Sequence, residues 1–167
     1  MKIRTTIAVM AAKITGHVCK LMGRQGVTWA GKVAMKICPD ILEELSSQVR
    51  EKIFVVCGTN GKTTTTALTG EIMRHFFNSV FVVGNIGDPY TAHARETTEE
   101  SVTVAEVSSF QLETIMEFHP NVSAFTNITP DHLDRHKTMD CYIQVKEGIA
   151  RNQTEEDSCV LNYDDPE

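Results

Sequence analysis

The chain has 167 residues, of which 41% are hydrophobic and 23% charged, with 16 Lys+Arg against 22 Asp+Glu and a formal net charge of −6. Such a composition excludes wholesale disorder, collagen and coiled coil, and the length allows one domain with a small appendage. The acidic balance argues against a nucleic-acid binder, because a phosphate backbone selects Lys and Arg, but a nucleotide binder needs only a local cradle.

The charge is split along the chain. Residues 1–50 carry 8 Lys+Arg and 3 Asp+Glu, whereas residues 51–167 carry 8 and 19. A shift this sharp predicts a boundary between a basic N-terminal segment, 1–50, and a second unit, 51–167. Within the first, Ile7, Ala11, Ile14, Val18 and Leu21 are spaced four and three apart and fall on one helical stripe, with Lys13 and Lys20 off it. The spacing predicts an amphipathic basic helix packed on its own domain, with a membrane-surface or partner role as the alternative. A signal peptide is disfavoured because Lys13 cuts the apolar run short, and no stretch is long enough to span a bilayer. Gly23, Gly26 and Gly31 are read as a loosened segment, and Pro39-Asp40 as the start of a second short helix bearing Ile41, Leu42, Leu45 and Val49.

From residue 53 the rhythm alternates. Apolar runs at Ile53–Cys57, Val80–Val83, Val102–Val107, Val122–Ile128 and Ser158–Asn162 predict strands. Helical segments are expected from the turn at 58–66 to about Phe77, over Phe110–Phe118 and over Met139–Asn152. That order predicts an α/β fold, an open, mostly parallel sheet of P-loop NTPase type with crossover helices. Cys19, Cys38, Cys57, Cys141 and Cys159 are odd in number and form no C-x-x-C pair, which fits a reducing cytoplasm better than a disulfide framework.

In open α/β sheets ligands bind beyond the carboxyl ends of the strands, and the polar clusters fall there. After the first strand comes Gly58-Thr59-Asn60-Gly61-Lys62-Thr63-Thr64. Glycines let the backbone turn its N–H groups onto phosphate oxygens, and the following helix adds its positive end. Lys62 would supply a point charge for the β/γ-phosphates and Thr63 a hydroxyl for Mg²⁺, which points to a nucleoside triphosphate. Val56 stands where the usual P-loop has its first glycine, so the loop is a shorter G-x-x-G-K-T. Glu106, a carboxylate inside an apolar strand, calls for a positive partner, and Mg²⁺ would serve. His132 lies in the polar cluster Thr126–His136 after the fourth strand and offers a neutral ring nitrogen to a metal. Asp134 and Arg135 read as a structural ion pair. A lone helix lysine such as Lys146 would ordinarily face solvent.

The runs from Gly58 to Thr66, Gly84-Asn85-Ile86-Gly87, Glu106-Val107-Ser108-Ser109-Phe110-Gln111-Leu112-Glu113 and Asn127 to His136 resemble, in order, the central ATPase domain of the Mur ligase family, over about residues 53–167. The resemblance implies ATP-driven amide formation in peptidoglycan precursor synthesis, joining D-glutamate to a UDP-linked muramoyl peptide through an acyl phosphate. It implies catalytic roles for Lys62, His132 and Lys146, and nucleotide contacts from residues 58–64. Thr63, Glu106, His132 and Lys146, the last as a carbamate, would ligate Mg²⁺. Asn85, Ser108 and Gln111 would contact the muramoyl substrate.

Two departures accompany the resemblance. Residues 1–50 are too short for a complete N-terminal UDP-binding domain. Gly23-Arg24, Gly31-Lys32-Val33-Ala34 and Pro39-Asp40-Ile41-Leu42 instead resemble another branch of the family, the ATPase subunit of the enzyme that amidates lipid II with a glutaminase subunit. A junction of two related genes at the shared G-T-N-G-K-T-T-T motif is therefore expected. The chain also stops at Glu167, within the ATPase domain. It is thus expected to bind ATP weakly, not to complete ligation, and to leave the fifth strand as an open edge.

Overall fold

The apolar runs become strands, and those at the middle of the sheet are covered on both faces and have no polar side to turn outward, whereas the last is exposed along its length. The computed structural model describes residues 3–22, 27–39 and 52–166. Among them the strands are β1 (Lys52–Cys57), β2 (Val80–Gly84), β3 (Val102–Glu106), β4 (Val122–Phe125) and β5 (Ser158–Val160). They form one sheet in the order β2-β3-β1-β4-β5, and every pairing is parallel. The expected open α/β sheet is therefore the observed one, with β1 at its centre and β5 on an exposed edge.

The helices, in chain order, are α1 (Ile3–Leu21), α2 (Val27–Ile37), α3 (Lys62–Arg74), α4 (Tyr90–His93), α5 (Ser109–Leu112), α6 (Leu133–His136) and α7 (Met139–Glu147), which tightens into a 3-10 turn at Gly148–Ala150. Under the sheet, Ile53, Val55 and Cys57 pack with Val107, Leu112 and Ile149. On the other face α3 comes very close to β2. A Cβ added to Gly70 would lie 2.2 Å from a Val82 methyl, so only glycine admits this approach.

Several boundaries differ from the sequence reading. The segment expected as a helix over Phe110–Phe118 is helical only over Ser109–Leu112. The Thr114 hydroxyl bonds the Gln111 carbonyl at 3.1 Å, and the β-branched pair Thr114-Ile115 disfavours continuation. The short helices α4 and α6 carry too little periodicity to be read from sequence. Gly31, read as loosening the chain, lies inside α2. The second helix expected around Ile41, Leu42, Leu45 and Val49 lies outside the described residues, as do Gly23 and Gly26.

The N-terminal pair corrects the reading of its apolar stripe. Ala8, Val9 and Ala12 of α1 pack with Ala34 and Cys38, and Ile37 and Ala94 close this small core. Ile7, Ile14, Val18 and Leu21, expected to face the domain, are exposed instead. The alanines win because their small side chains allow two helices to approach, whereas the longer stripe would hold them apart. The charge boundary near residue 50 does not isolate this pair. Ala94, just beyond α4, packs against it, and Lys13 Nζ reaches Glu96 at 3.2 Å.

Candidate nucleotide site

The loop after β1 takes its shape from two glycines. Gly58 has φ 138° and Gly61 φ 79°, the left-handed region where a side chain is strained. A Cβ on Gly58 would lie 2.0 Å from Thr126 Oγ1, so glycine is also needed for space. Gly61 caps α3, and Lys62 and Thr63 open the helix with its unpaired N–H groups. The shortened G-x-x-G-K-T thus makes a complete turn into a helix N-terminus, the arrangement that favours anions.

The adjacent end of β4 fastens this loop. Thr59 N–H donates to the Asn127 carbonyl at 2.8 Å, and Asn60 N–H to Asn127 Oδ1 at 2.9 Å. The Thr126 hydroxyl donates to the Asn60 carbonyl at 2.6 Å, joined there by Asn127 Nδ2 at 3.1 Å. Thr129 N–H donates to Thr59 Oγ1 at 3.0 Å. A loop held by so many bonds is ordered before any ligand arrives, which lowers the entropic cost of binding.

On the other side of β1, Val56 is in register with Glu106 of β3, and Gly84 of β2 with the same residue. Glu106 is 2% exposed. Its Oε1 accepts from Asn85 Nδ2 at 2.7 Å, while its Oε2 is buried with no hydrogen-bond partner. A buried carboxylate oxygen left bare is costly unless a cation completes it. Gly84, φ 96°, makes the approach of the Asn85 turn possible, since a Cβ there would lie 2.2 Å from the Glu106 carbonyl oxygen.

Two lysines converge on the loop. Lys62 Nζ donates to the Thr59 carbonyl at 2.7 Å. Burial holds Lys62 below the ordinary lysine range; repulsion from Lys146 adds to this, and the Glu106 carboxylate opposes it. Lys146, which spacing alone would turn to solvent, is 1% exposed. Its Nζ donates to the Gly58 carbonyl at 2.7 Å, lies 3.8 Å from Cys57 Sγ, and sits 4.6 Å from the centre of the Tyr142 ring. The same burial pushes the Cys57 thiol up. Tyr142 is a residue the sequence reading missed. Its hydroxyl meets Thr59 Oγ1 at 3.2 Å, and it lies four residues before Lys146 on one face of α7, the one sequence signal that could have found it.

The loop after β4 is a second cluster. His132 takes φ 52°, is half-exposed, and contacts Asp131 at 3.4 Å and the Phe110 ring at 4.8 Å between centroids. Arg135 pairs with Glu113, Nε to Oε1 at 2.9 Å, and not with Asp134 as expected. Glu113 also faces His136 Nδ1 at 3.5 Å, and the buried His136 meets Ser109 Oγ through Nε2 at 3.0 Å. Ser108 and Gln111 bond each other, with Ser108 N–H donating to Gln111 Oε1 at 2.8 Å. The structure thus gathers Gly58–Thr64, Asn85, Glu106 and Lys146 around one loop. His132, Ser108 and Gln111 belong to the neighbouring cluster around Phe110 and Glu113, and the described residues contain no group of three His, Cys, Asp or Glu able to hold a metal unaided.

The donor set fits a magnesium-bound triphosphate: glycine-shaped N–H groups at a helix N-terminus, a lysine, and a buried carboxylate oxygen without a partner. The Mur ligase middle domain model matches residues 56–167. The UDP-N-acetylmuramoylalanine–D-glutamate ligase of Lachnoclostridium phytofermentans is 63% identical over 114 residues, 68% of this chain and 25% of that protein. The protein of the same name from Clostridioides difficile is 59% identical over the same length and shares. MurF ligase from Thermotoga maritima, solved with ADP, superposes with TM-score 0.59 over 80% of this chain and 33% of its own, at 18% identity, a likeness of fold alone. The chain spans about a quarter of the length of the curated relatives it matches. With its parallel sheet, its phosphate-shaped loop and a family match over most of its length, the chain belongs to the Mur ligase family.

Proposed function

We propose that the chain carries the ATP-binding part of a ligase that joins D-glutamate to UDP-N-acetylmuramoyl-L-alanine. The unpartnered Glu106 Oε2 beside the Lys62 loop is the observation that carries the nucleotide reading. The relatives' names carry the reading of substrate. In this reading the N–H groups of residues 58–64 and Lys62 hold the phosphates, and Thr63 and Glu106 hold Mg²⁺, which supplies charge neutralisation during phosphoryl transfer. Asn85 orients the Glu106 carboxylate.

After burial, repulsion from Lys146 helps hold Lys62 below the ordinary lysine range. As a carbamate Lys146 would turn that repulsion into attraction and become a metal ligand. His132, with its ring held by Phe110, would serve a second Mg²⁺ and the reacting carboxylate; Ser108, Gln111 and Asn85 would contact the muramoyl group. Five free thiols accord with work in a reducing cytoplasm.

The test is titration of the purified chain with a fluorescent ATP analogue, with and without Mg²⁺. Mg²⁺-dependent binding that weakens at least about tenfold in Lys62→Met is expected for loss of a charged hydrogen bond. Absence of binding, or binding indifferent to Lys62 and to Mg²⁺, would overturn the reading.

A further inference from the structure

The long helix α1 buries the side opposite to its largest apolar residues. Ala8 and Ala12 are 0% exposed, while Ile3 is 81%, Ile7 49%, Met10 51%, Ile14 65%, Val18 47% and Leu21 78% exposed. These six residues step by four, three, four, four and three, a mean of 3.6, so they form a straight stripe over the helix, about 27 Å long. A run of this length on one outward ridge is more than scattered surface apolarity. The opposite side already rests on α2 and Ala94, and among the described residues the stripe faces outward.

Charge points to what that surface is. Residues 1–39 contain seven Lys or Arg and no Asp or Glu. Lys13 lines a shallow depression with Ile14, His17 and Val18 on the edge of the stripe. Lys36 is exposed on α2. Among the described residues Glu96 reaches this region, and its bond to Lys13 is an exposed pair of small worth. Two such faces would repel each other, which disfavours a second copy of this chain. An apolar ridge flanked by Lys13 on a strongly basic segment, with Arg4 turned to the Ile37 carbonyl, is the pattern that lies in a headgroup layer, with the ridge among acyl chains and the basic groups among phosphates.

We propose that α1 docks the protein on an anionic lipid surface, lying flat with Ile7, Ile14 and Val18 downward. This does not rest on the nucleotide reading. The test is sedimentation of the full chain, without nucleotide, with phosphatidylcholine vesicles with and without about 30% phosphatidylglycerol, at low and high salt. At least about tenfold stronger binding to the anionic vesicles, reduced by salt, is expected. The triple variant Ile7→Ser/Ile14→Ser/Val18→Ser alters only exposed positions and should keep the melting temperature while losing at least about tenfold in binding. Lys13→Gln/Lys36→Gln should weaken the salt-sensitive part alone. Equal binding to neutral vesicles, no binding to either, or an oligomer that the triple variant dissolves would each overturn the proposal, the last in favour of a second copy.

Discussion

The helical pair α1–α2 and the parallel sheet are built from similar amounts of apolar sequence yet read very differently. In the sheet the apolar runs of the inner strands β1 and β3 go inside, because a central parallel strand is covered on both faces and has no choice of side, and only the edge strand β5 lies open among the described strands. Val55, Cys57, Val83, Val102 and Val104 are all essentially inaccessible. In α1 the apolar residues had a choice, and the helix buried Ala8 and Ala12 while leaving Ile14 and Leu21 outside. Periodicity locates a stripe, but which face is covered depends on what packs there and how closely.

Four substitutions would break or sharpen this contrast. The largest effect is expected on the sheet side, at Gly84→Ala, where a Cβ meets the Glu106 backbone at 2.2 Å on top of a φ of 96°. A loss of about 3–4 kcal/mol, read from denaturant unfolding, follows from strain plus displacement of the neighbouring strand. Gly61→Ala, with the same kind of φ but open space around it, should cost only about 1–2 kcal/mol. If the two losses were equal, close packing at the strand ends would not be the reason for Gly84.

On the helical side, Ala12→Met should destabilise by about 1–3 kcal/mol through overpacking. Ile14→Ser should stay within about 0.5 kcal/mol. Thermal unfolding of the pair checks this, and a reversed order would mean that the stripe is covered after all.

At the site, Glu106→Gln keeps the acceptor for Asn85 and removes the charge. Folding should be nearly unchanged, while the Mg²⁺ dependence of ATP-analogue binding should fall at least about tenfold, the size of a lost charged contact. If Mg²⁺ dependence persisted, the bare Oε2 would not be a metal ligand.

The smallest effect concerns acid stability at the edge of the sheet. The His119 ring, at 2.5 Å, and the Thr154 N–H hold Asp157 down from 3.8 to about 2. A depressed carboxylate contributes stability that is full above 3.8 and is lost as pH falls toward about 2. Asp157→Asn should therefore flatten the unfolding curve within that window and leave neutral pH little changed. An unaltered acid limb would remove Asp157 from the account of how the turn before β5 is held.

Much of the phosphate loop was legible without coordinates, because glycine and lysine at these spacings have few other uses in a strand-to-helix turn. Glu106 was legible for the opposite reason, as a charge in a place that does not tolerate one. Lys146 and Tyr142 were not legible from pattern, since a lysine in a nine-residue helix has no local signal of burial. Arg135 went to Glu113 and not to its neighbour Asp134, a choice made by the approach of two short helices whose paired residues are 22 apart in the chain.

By itself the sequence determined that there would be a parallel α/β sheet with a triphosphate-shaped turn at its centre, since strand burial and glycine stereochemistry are local properties. Only the tertiary structure decided the strand order, the partnerless oxygen of Glu106, the burial of Lys146 and the outward face of α1. Those depend on which surfaces, distant in the chain, can approach closely enough to exclude water.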